Sequence, residues 1–576
     1  MFDGMKRLLI PFLALLMVSC APKDGRYVFR ILTTNDVHGH FFDSLYVSDR
    51  TAHSLTTVSW YVDSIRRADG RENVILLDAG DCIQGDNAAY YYNYVDTVSE
   101  HIFSRMMEYM EYDAVTVGNH DIEAGHAVYD RIVAEMDVPF LAANALRTSD
   151  GKPYFESHVT MRRHGLNITI IGFTNPNIKN WLSPALWEGM EFESLIPLVQ
   201  EDVDRISAED RSDIVIVSVH SGAGKGDGSQ YENQGLDLFS SLRGVDFLVC
   251  SHDHRPLVLQ NDSICLMNSG SHCRNLGYGT VELEVKDGKV VSKALSARLL
   301  PLDKSKVDKR MQDIFHPDYQ AVKAFTLKEV GSLEVPLLTS ESYRGMSDYI
   351  NLLHTLALRC EPAQISFAAP LTFNGRVEPG TLVYNDLFTI YPFENQLYVV
   401  RMTGRQIKDY LEASYDGWIN TVSGSEGHLL NIAQDASGRW RFAGPTFNFD
   451  SAAGLVYEVD VTRPSGDRIR ICSLADGTDF NMDVEYNVAM TSYRASGGGG
   501  LLRKGAGIDT DSIADITVKR YPEIRQMLYD YLQSEGAIRK EDISRPEELG
   551  HWKFVPEKVA GPMLDADMSL IFNKRK

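Results

Sequence analysis

The sequence predicts an α/β protein with more than one domain, and three observations predict it. At 576 residues the chain is too long for a single hydrophobic core. Continuous apolar runs, typical of parallel strands buried on both faces, recur through the first half, and helix-like periodicity follows one of them, from residue 127. From about residue 335 helix-like and strand-like segments mix differently, which indicates a second, α+β domain.

The composition excludes one class of partner. The chain carries 57 Lys and Arg against 79 Asp and Glu, a formal net charge of -22. Because duplex nucleic acid is bound largely by neutralising its phosphates, we expect no duplex nucleic-acid partner. A small anionic ligand is compatible with this charge if bound metal ions reverse the local field.

The N-terminus predicts export. Two basic residues precede an apolar run at residues 8–18 that is too short to span a bilayer, and M-V-S-C closes the run like a bacterial lipobox. Met17 stands where such boxes usually have Leu, and a buried helix is the alternative. We expect a signal segment at residues 1–20 and a lipid on Cys20 as the only membrane attachment. This predicts a periplasmic or outer-membrane lipoprotein of a Gram-negative-type envelope.

The seven cysteines show no metal-binding spacing. Cys265 and Cys273 could form a disulfide in an oxidising compartment, but scattered buried thiols are the expectation. Cysteine chemistry is therefore not expected at the functional site.

Polar clusters follow five predicted strands at the point where each strand ends. A single Asp-x-His or strand-end histidine is more often a turn or a structural residue. The five clusters together are improbable by chance, since each follows a hydrophobic run and draws on the same residue types. They read D-V-H after residues 28–34, A-G-D after 73–78, G-N-H-D-I-E after 114–117, H-S-G after 213–219 and S-H-D-H after 246–250.

This ordered pattern resembles the calcineurin-like metallophosphoesterases, and among them the secreted 5'-nucleotidase and 2',3'-cyclic-nucleotide phosphodiesterase group, from about Phe29 to about Lys504. The resemblance implies an N-terminal αββα sandwich at residues 27–303 and a 5'-nucleotidase C-terminal domain of α+β type at 335–535. A linker helix is expected at 304–334. Residues 536–576, with Trp552 and Phe554, are expected to form a surface-packing extension.

The resemblance also implies two divalent metal ions, for which the donor types suit zinc, manganese, iron or cobalt. Asp81 is the candidate bridge between them. Many members of the family have Gln where this chain has His254, which bears on metal preference. The implied ligands are Asp36, His38 and His254 for one ion, and Asn119, His220 and His252 for the other.

His120 has a different implied role. It would stabilise negative charge on the phosphoryl oxygens or protonate the leaving oxygen, while a carboxylate holds its ring. The family carboxylate falls on Glu123, where Asp is commoner. Asp121 is the alternative if Glu123 serves only as a helix N-terminal acid.

The C-terminal domain departs from the family pattern where the substrate would bind. The family arginine falls near Asn374, with Arg376 as its possible substitute, and Gly499 replaces a ribose-binding Asp. Phe393 and Tyr493 match the stacking aromatic positions, although core packing is the alternative for each.

These residues predict a phosphoesterase that hydrolyses nucleotides in the manner of a 5'-nucleotidase, with metal-bound hydroxide as the nucleophile. The partner is expected to be a small nucleotide or another phosphate ester. The alternatives are a 2',3'-cyclic-nucleotide 2'-phosphodiesterase, a UDP-sugar hydrolase and, from another class, a non-catalytic periplasmic binding lipoprotein. The sequence does not set the oligomeric state.

Overall fold

The computed structural model describes residues 22–48, 50–424, 427–435 and 438–572. The predicted export signal and Cys20 lie outside these residues. The described chain divides into two compact units, and it passes between them more than once. The first unit holds the chain up to Leu45, Arg50–Pro176 and Gly189–His316; the second holds a short segment starting at Tyr46, Asn177–Glu188 and the chain from Pro317 onward.

The first unit is built from parallel strands and the helices that follow them. Its strands are β1 Gly25–Thr34, β2 Val74–Asp78, β3 Ala114–Thr116, β4 Phe140–Leu141, β5 Ala145–Arg147, β6 His158–Arg163, β7 Leu166–Phe173, β8 Met190–Phe192, β9 Ile214–Val219, β10 Phe247–Cys250, β11 Leu257–Gln260, β12 Cys265–Asn268, β13 Asn275–Lys286 and β14 Lys289–Pro301. Its helices are α1 Leu55–Asp69, α2 Asn87–Tyr90, α3 Ile102–Tyr109, α4 Asn119–Glu123, α5 His126–Glu135, α6 Leu195–Asp210 and α7 Gly235–Ser241; α8 Lys309–Thr326 crosses the boundary between the units.

Two six-stranded sheets form the centre of the first unit, in the orders β14-β13-β1-β2-β3-β4 and β11-β12-β10-β9-β7-β6. Their facing surfaces share one hydrophobic core to which β1, β2, β7, β9 and β10 all contribute. Helix α6 packs its apolar face on the outside of the second sheet. The predicted α/β sandwich with paired sheets is confirmed.

The parallel register brings strand ends together. Thr34 at the end of β1 pairs with Asp78 at the end of β2, and Asp78 pairs in turn with Val115 of β3. Val219 of β9 pairs with Cys250 at the end of β10 in the second sheet. Because parallel strands with aligned ends release their chains at one edge, the residues that follow them are held close together.

The second unit is of α+β type. Its strands are β15 Glu329–Leu333, β16 Leu337–Leu338, β17 Ile365–Ala368, β18 Arg376–Val377, β19 Gly380–Val383, β20 Gln396–Thr403, β21 Ile432–Gln434, β22 Trp440–Phe442, β23 Ser451–Ala453, β24 Leu455–Asp460, β25 Ile469–Leu474, β26 Glu485–Thr491, β27 Thr517–Glu523, β28 Ala537–Ile538 and β29 Gly550–Val555. Its helices are α9 Asp348–Leu358, α10 Tyr384–Ile390, α11 Gly404–Trp418, α12 Ser492–Ala495, α13 Ile513–Ile516, α14 Ile524–Glu535, α15 Pro546–Leu549 and α16 Glu557–Phe572.

A five-stranded sheet, β23-β17-β26-β20-β27, organises the second unit. Helix α11 begins where the sequence signals a start, because the Thr403 hydroxyl accepts from the Gln406 amide N–H and the Gln406 side chain accepts from the Thr403 N–H. Its apolar side supplies Tyr410 and Trp418 to the core of this unit.

The C-terminal segment is part of that core, so the prediction of a surface-packing extension is wrong. Strand β29 pairs in parallel with β24, and Trp552 and Phe554 are 4% and 5% exposed. The Trp552 ring stacks on Tyr457 with 6.0 Å between centroids. The alternation of polar and apolar residues in G-H-W-K-F-V is that of a strand with one buried face.

Across the described ranges, no helix combines the length and apolarity needed to cross a membrane. Among the described cysteines none is paired; five are buried thiols and Cys472 is exposed. Five of the six described thiols match the expectation of scattered buried thiols, Cys265 and Cys273 among them, and the exposed Cys472 does not.

Candidate metal centre and substrate pocket

The predicted metal ligands of the first unit lie at the aligned strand ends. Both sheets contribute. Strands β1, β2 and β3 of the first sheet lead into Asp36, His38, Asp81 and Asn119, and β9 and β10 of the second lead into His220, His252 and His254. Two groups of donors converge to within 4.8 Å: Asp36, His38 and His254 in one, and Asp81, His220 and His252 in the other.

In the first group two imidazole nitrogens lie close together. His38 Nε2 lies 2.9 Å from His254 Nε2, and His254 Nε2 lies 3.5 Å from an Asp36 carboxylate oxygen. His38 Nδ1 lies 3.1 Å from the Gln84 carbonyl oxygen, which suits an Nδ1–H donor and leaves the Nε2 lone pair facing the site. Two such lone pairs directed at one point fit a cation between them.

The second group has the same construction. His220 Nδ1 lies 2.8 Å from the Ala79 carbonyl oxygen, which suits donation to that oxygen. His220 Nε2 is 3.0 Å from Asp81 Oδ2 and 3.1 Å from Asn119 Oδ1. The residues present therefore fit divalent metal ions. Imidazole nitrogens, carboxylate oxygens and an amide oxygen are the donors, and a backbone carbonyl lies against Nδ1 of His38 and of His220.

Five of these residues have a left-handed backbone, which side chains other than glycine rarely adopt. The residues, with their φ angles, are Asp36 (48°), His38 (50°), Asp81 (61°), His252 (71°) and His254 (56°). Backbone hydrogen bonds hold this conformation: the Asp36 N–H donates to the Gly80 carbonyl and the His38 N–H to the Asp81 carbonyl, both at 2.9 Å. Strain of this kind concentrates at functional sites, where the surrounding fold enforces it.

Gly118 is required by close packing at the same edge. A Cβ atom added there would lie 2.2 Å from Asp81 Oδ1. The turn before Asn119 can therefore approach the Asp81 carboxylate only without a side chain.

Charge and burial set the protonation of the ligands. Burial lowers the pKa of His38 well below its ordinary value and that of His252 to about 3, so both rings are neutral at pH 7. Burial also lowers the pKa of His220, but the Asp81 carboxylate more than offsets it and raises that pKa to about 9. Burial raises the pKa of Asp81, and the charge of His220 outweighs it and lowers the pKa.

His120 and its neighbouring carboxylates occupy a short helix. The sequence predicts a loop between a strand and a helix; the structure instead places the cluster in α4, a separate turn of helix before α5. His120 Nδ1 lies 2.5 Å from Glu123 Oε2, and the His120 N–H donates to Asp81 Oδ1 at 2.8 Å.

Asp121 points the other way, into the backbone. Its carboxylate accepts four main-chain hydrogen bonds, from Gly118, Asp81, Cys82 and Ile83, at 2.8 to 3.2 Å. Asp121 thus binds together the two chain turns that carry the ligands, whereas Glu123 is the carboxylate that contacts the His120 ring.

Two histidines near the first group have no role in the sequence prediction. The His272 ring lies 5.5 Å from His38 and 5.7 Å from His254, centroid to centroid, and the His40 ring lies 4.7 Å from His272. The His272 N–H also donates to the Asp36 carbonyl at 2.9 Å. His272 follows the buried strand β12, so it carries the same strand-end signal as the predicted ligands.

The candidate substrate residues of the second unit fall into two sets. Asn374 and Arg376 are both exposed, and Arg376 pairs with Glu378. Phe393 and Tyr493 are half-buried, and Phe447 contacts both, with centroids 6.1 Å from Phe393 and 6.4 Å from Tyr493. The structure therefore brings the aromatic candidates into one cluster through a residue absent from the sequence prediction.

Two family models match the chain. The calcineurin-like phosphoesterase model matches residues 29–256, and the 5'-nucleotidase C-terminal domain model matches residues 329–504. The first match contains every predicted metal ligand, and the second contains the aromatic cluster.

Similar proteins match the chain over most of its length. The trifunctional nucleotide phosphoesterase YfkN of Bacillus subtilis is 24% identical over 94% of the chain, which spans only 40% of that protein's length. A 2',3'-cyclic-nucleotide 2'-phosphodiesterase/3'-nucleotidase of Haemophilus influenzae is 23% identical, covering 92% of this chain and 87% of its own. The crystal structure of a protein described as a 5'-nucleotidase from Staphylococcus aureus superposes with a TM-score of 0.75 at 20% identity, covering 92% of this chain and 99% of that one, and shows the same fold.

Proposed function

We propose that this chain, a member of the calcineurin-like phosphoesterase family with a 5'-nucleotidase C-terminal domain, is a phosphoric ester hydrolase that hydrolyses nucleotides at a dinuclear metal centre. The observation that carries the proposal is the convergence of the two donor groups beside the His120–Glu123 pair. Asp81 is proposed as the bridging ligand, because it lies against His220 while its other oxygen accepts from the His120 backbone.

Two divalent ions held by these residues would supply Lewis-acid stabilisation of the phosphoryl oxygens and lower the pKa of the attacking water. The protein's own part begins with orientation. The Gln84 and Ala79 carbonyls fix the rings of His38 and His220, so that their Nε2 atoms face the site.

His120 is proposed to act on the reacting ester. Glu123 holds Nδ1, which leaves Nε2 at the opposite edge of the imidazole to present positive charge or a transferable proton. That edge can stabilise the charge that develops on the phosphoryl oxygens and deliver a proton to the leaving oxygen. Glu123, rather than Asp121, is the proposed orienting carboxylate.

The second unit is proposed to select the organic part of the substrate. Its aromatic cluster offers ring faces of the kind on which a nucleobase stacks. Asn374 and Arg376, both exposed, are retained as proposed contacts on the strength of their sequence positions alone.

A second candidate activity is the hydrolysis of 2',3'-cyclic nucleotides. Gly499 in place of an acidic ribose-binding residue favours it, since a ribose whose hydroxyls are esterified does not need a carboxylate partner. The Haemophilus influenzae relative named for that activity adds support.

The test is a phosphate-release screen on the purified protein with manganese or zinc, using AMP, 2',3'-cyclic AMP and UDP-glucose. The 5'-nucleotidase proposal expects AMP to give the highest kcat/KM. Preference for the cyclic nucleotide, with phosphate released only after added phosphomonoesterase, would establish the second candidate instead. Absence of hydrolysis of all three would overturn both.

Export with a lipid on Cys20 is proposed from the sequence of residues 1–20. Labelling of expressing cells with a fatty-acid probe should mark the protein, and Cys20→Ser should abolish the mark and release the protein from the membrane fraction. Labelling that persists in the Cys20→Ser variant would contradict the anchor.

A further inference from the structure

Phe447 occupies an unusual place in the second unit. It lies in a 3₁₀ turn, Thr446–Asn448, and its side chain is 36% exposed although it touches two other aromatic rings. Its ring meets Phe393 at an interplanar angle of 75° and Tyr493 at 81°. The residue therefore packs edge-to-face with both neighbours and still exposes part of its surface, which leaves that part open to a ligand.

A buried arginine fixes the turn that carries Phe447. Arg494 is 3% exposed, and its guanidinium donates to the Phe447 carbonyl at 2.5 Å and to Asn448 Oδ1 at 2.8 Å. It also forms two hydrogen bonds with the Asp450 carboxylate, at 2.7 and 2.9 Å. Since Arg494 directly follows Tyr493, one buried ion pair sets the positions of two of the three rings.

The Asn448 side chain lies close to Gly499. A Cβ atom on residue 499 would lie 2.5 Å from both Asn448 Oδ1 and Arg494 Nη1, and Gly499 has a φ of 72°. The space next to this backbone is therefore taken by the asparagine amide. Oδ1 is bound by Arg494, while in the described part of the chain no hydrogen bond of the structure involves Asn448 Nδ2.

We propose that Phe447 and Asn448 form a third wall of the substrate pocket, in which Phe447 contacts the edge of the nucleobase and Asn448 Nδ2 donates to a ribose oxygen. The proposal rests on the proposed nucleotide specificity and extends it to two residues outside the predicted set. The substrate class is a nucleoside carrying a phosphate ester, recognised through its aromatic ring and a ribose oxygen that accepts a hydrogen bond.

The chemistry of the cluster selects this ligand. Three aromatic rings without an unpaired charge favour a flat, neutral heterocycle, because Arg494 is neutralised by Asp450 inside the protein. An amide N–H is a hydrogen-bond donor only, so it can pair with a hydroxyl, an ether or an ester oxygen alike. A carboxylate in that place would pair only with a free hydroxyl.

The primary test measures equilibrium binding of adenosine by calorimetry, which requires no hydrolysis. Phe447→Ala should raise the Kd for adenosine about tenfold, because a base–aromatic contact is lost. Phe480→Ala is the matched control: Phe480 stacks on Tyr486 elsewhere in the second unit and should leave the Kd unchanged. A Phe447→Ala variant that binds adenosine within twofold of the wild type, or a wild-type protein that does not bind it, overturns the proposal.

Measurements of turnover distinguish a role of Phe447 in binding the base from the proposed catalytic function. Phe447→Ala should raise the KM for AMP by a similar factor, while kcat/KM for ribose 5-phosphate, which has no base, stays unchanged. Equal losses on both substrates would show a merely structural role. Failure of the wild type to hydrolyse either ester would reject the proposed function. Adenosine binding would still test whether Phe447 and Asn448 contact a nucleoside.

Asn448→Asp tests the donor. Aspartate can still accept from Arg494 but presents an acceptor where Nδ2 stood. The variant should discriminate against adenosine methylated at both ribose hydroxyls about tenfold more than the wild type does, and steric effects of the methyl groups cancel in that ratio. An unchanged ratio, with the variant folded by circular dichroism, removes Asn448 from the wall.

Discussion

The metal centre of the first unit and the aromatic cluster of the second are built in opposite ways. The proposed ligands of the metal centre follow five strands, and the aligned register of parallel strands brings them to one edge. In the aromatic cluster Phe393, Phe447 and Tyr493 come from three segments far apart in sequence, and buried arginines hold these segments. The difference teaches that the proposed metal site depends on short motifs at strand ends, whereas the proposed substrate contacts depend on long-range packing.

The largest effect is expected from a substitution within the proposed metal centre. Asp81→Asn should lower kcat/KM for every phosphate ester by about four orders of magnitude, since the residue acts as one unit with the other ligands. Metal content measured by elemental analysis should fall with activity. Asp246→Asn is the control, because Asp246 pairs with Lys293 at the start of β10 and not at the ligand end. Unchanged hydrolysis in Asp81→Asn would remove Asp81 from the centre.

The next effect separates the two acids beside His120. Glu123→Gln should lower kcat about 10- to 100-fold without changing metal content or thermal stability, because it weakens only the hold on the ring. Asp121→Asn should instead lower the unfolding free energy by about 2 kcal/mol, because its carboxylate accepts four backbone N–H groups. A loss of kcat in a stable Asp121→Asn variant, with Glu123→Gln fully active, would reverse the assignment.

A smaller effect should appear in the second unit only. Arg525 is fully buried, donates to the Tyr391 and Phe393 carbonyls at 3.1 and 3.0 Å, and lies 4.0 Å from the Phe388 ring centroid. Lysine cannot reproduce this fork, so Arg525→Lys should raise the KM for AMP about 3- to 10-fold by loosening the Phe393 turn.

The same substitution should not affect kcat/KM for ribose 5-phosphate. Arg359→Lys, at a half-exposed arginine stacked on Tyr531, is the matched control and should change neither constant. If Arg525→Lys impaired both substrates equally, the arginine would be a general stabiliser of the unit and not a positioning residue for Phe393.

The smallest effects concern pH, and they differ in sign between the units. Burial raises the pKa of Asp78 in β2 to about 7, so the folded state binds more protons than the unfolded state between about pH 4 and 7, and its contribution to stability increases as pH falls through that window. Burial lowers the pKa of His354 in α9 to about 3, so its contribution is full above pH 6.5 and is lost as pH falls toward 3.

Hydrogen exchange of the two segments from pH 4.5 to 7.5 can measure these contributions separately. Relative to the wild type, Asp78→Asn should steepen the loss of protection on acidification around β2, and His354→Asn should reduce that loss around α9. Changes of the same sign in both variants would show that other groups dominate the pH dependence.

Sequence reasoning located the strands well where burial is continuous. The run N-V-I-L-L-D gave β2 as Val74–Asp78, and D-I-V-I-V-S-V gave β9 as Ile214–Val219, because strands buried on both faces leave no polar interruptions. It failed for β29, since the alternating pattern of a half-buried strand in an unfamiliar tail is also that of a surface segment.

His272 and Phe447 lie at the candidate sites but are absent from the sequence prediction. His272 follows β12 as the predicted ligands follow their strands, so a signal existed, although no motif singled it out. Phe447 gave no local signal, because its contacts with Phe393 and Tyr493 span about 50 residues in each direction.

The sequence by itself determined the α/β class, the order of the ligand clusters and the residue types that hold metal, because each of these follows from short runs of neighbouring residues. Only the tertiary structure decided that His38 meets His254 across two sheets, that Glu123 and not Asp121 contacts His120, and that three distant turns form one aromatic cluster. Those facts depend on register and long-range packing, which bring together atoms that the chain keeps far apart.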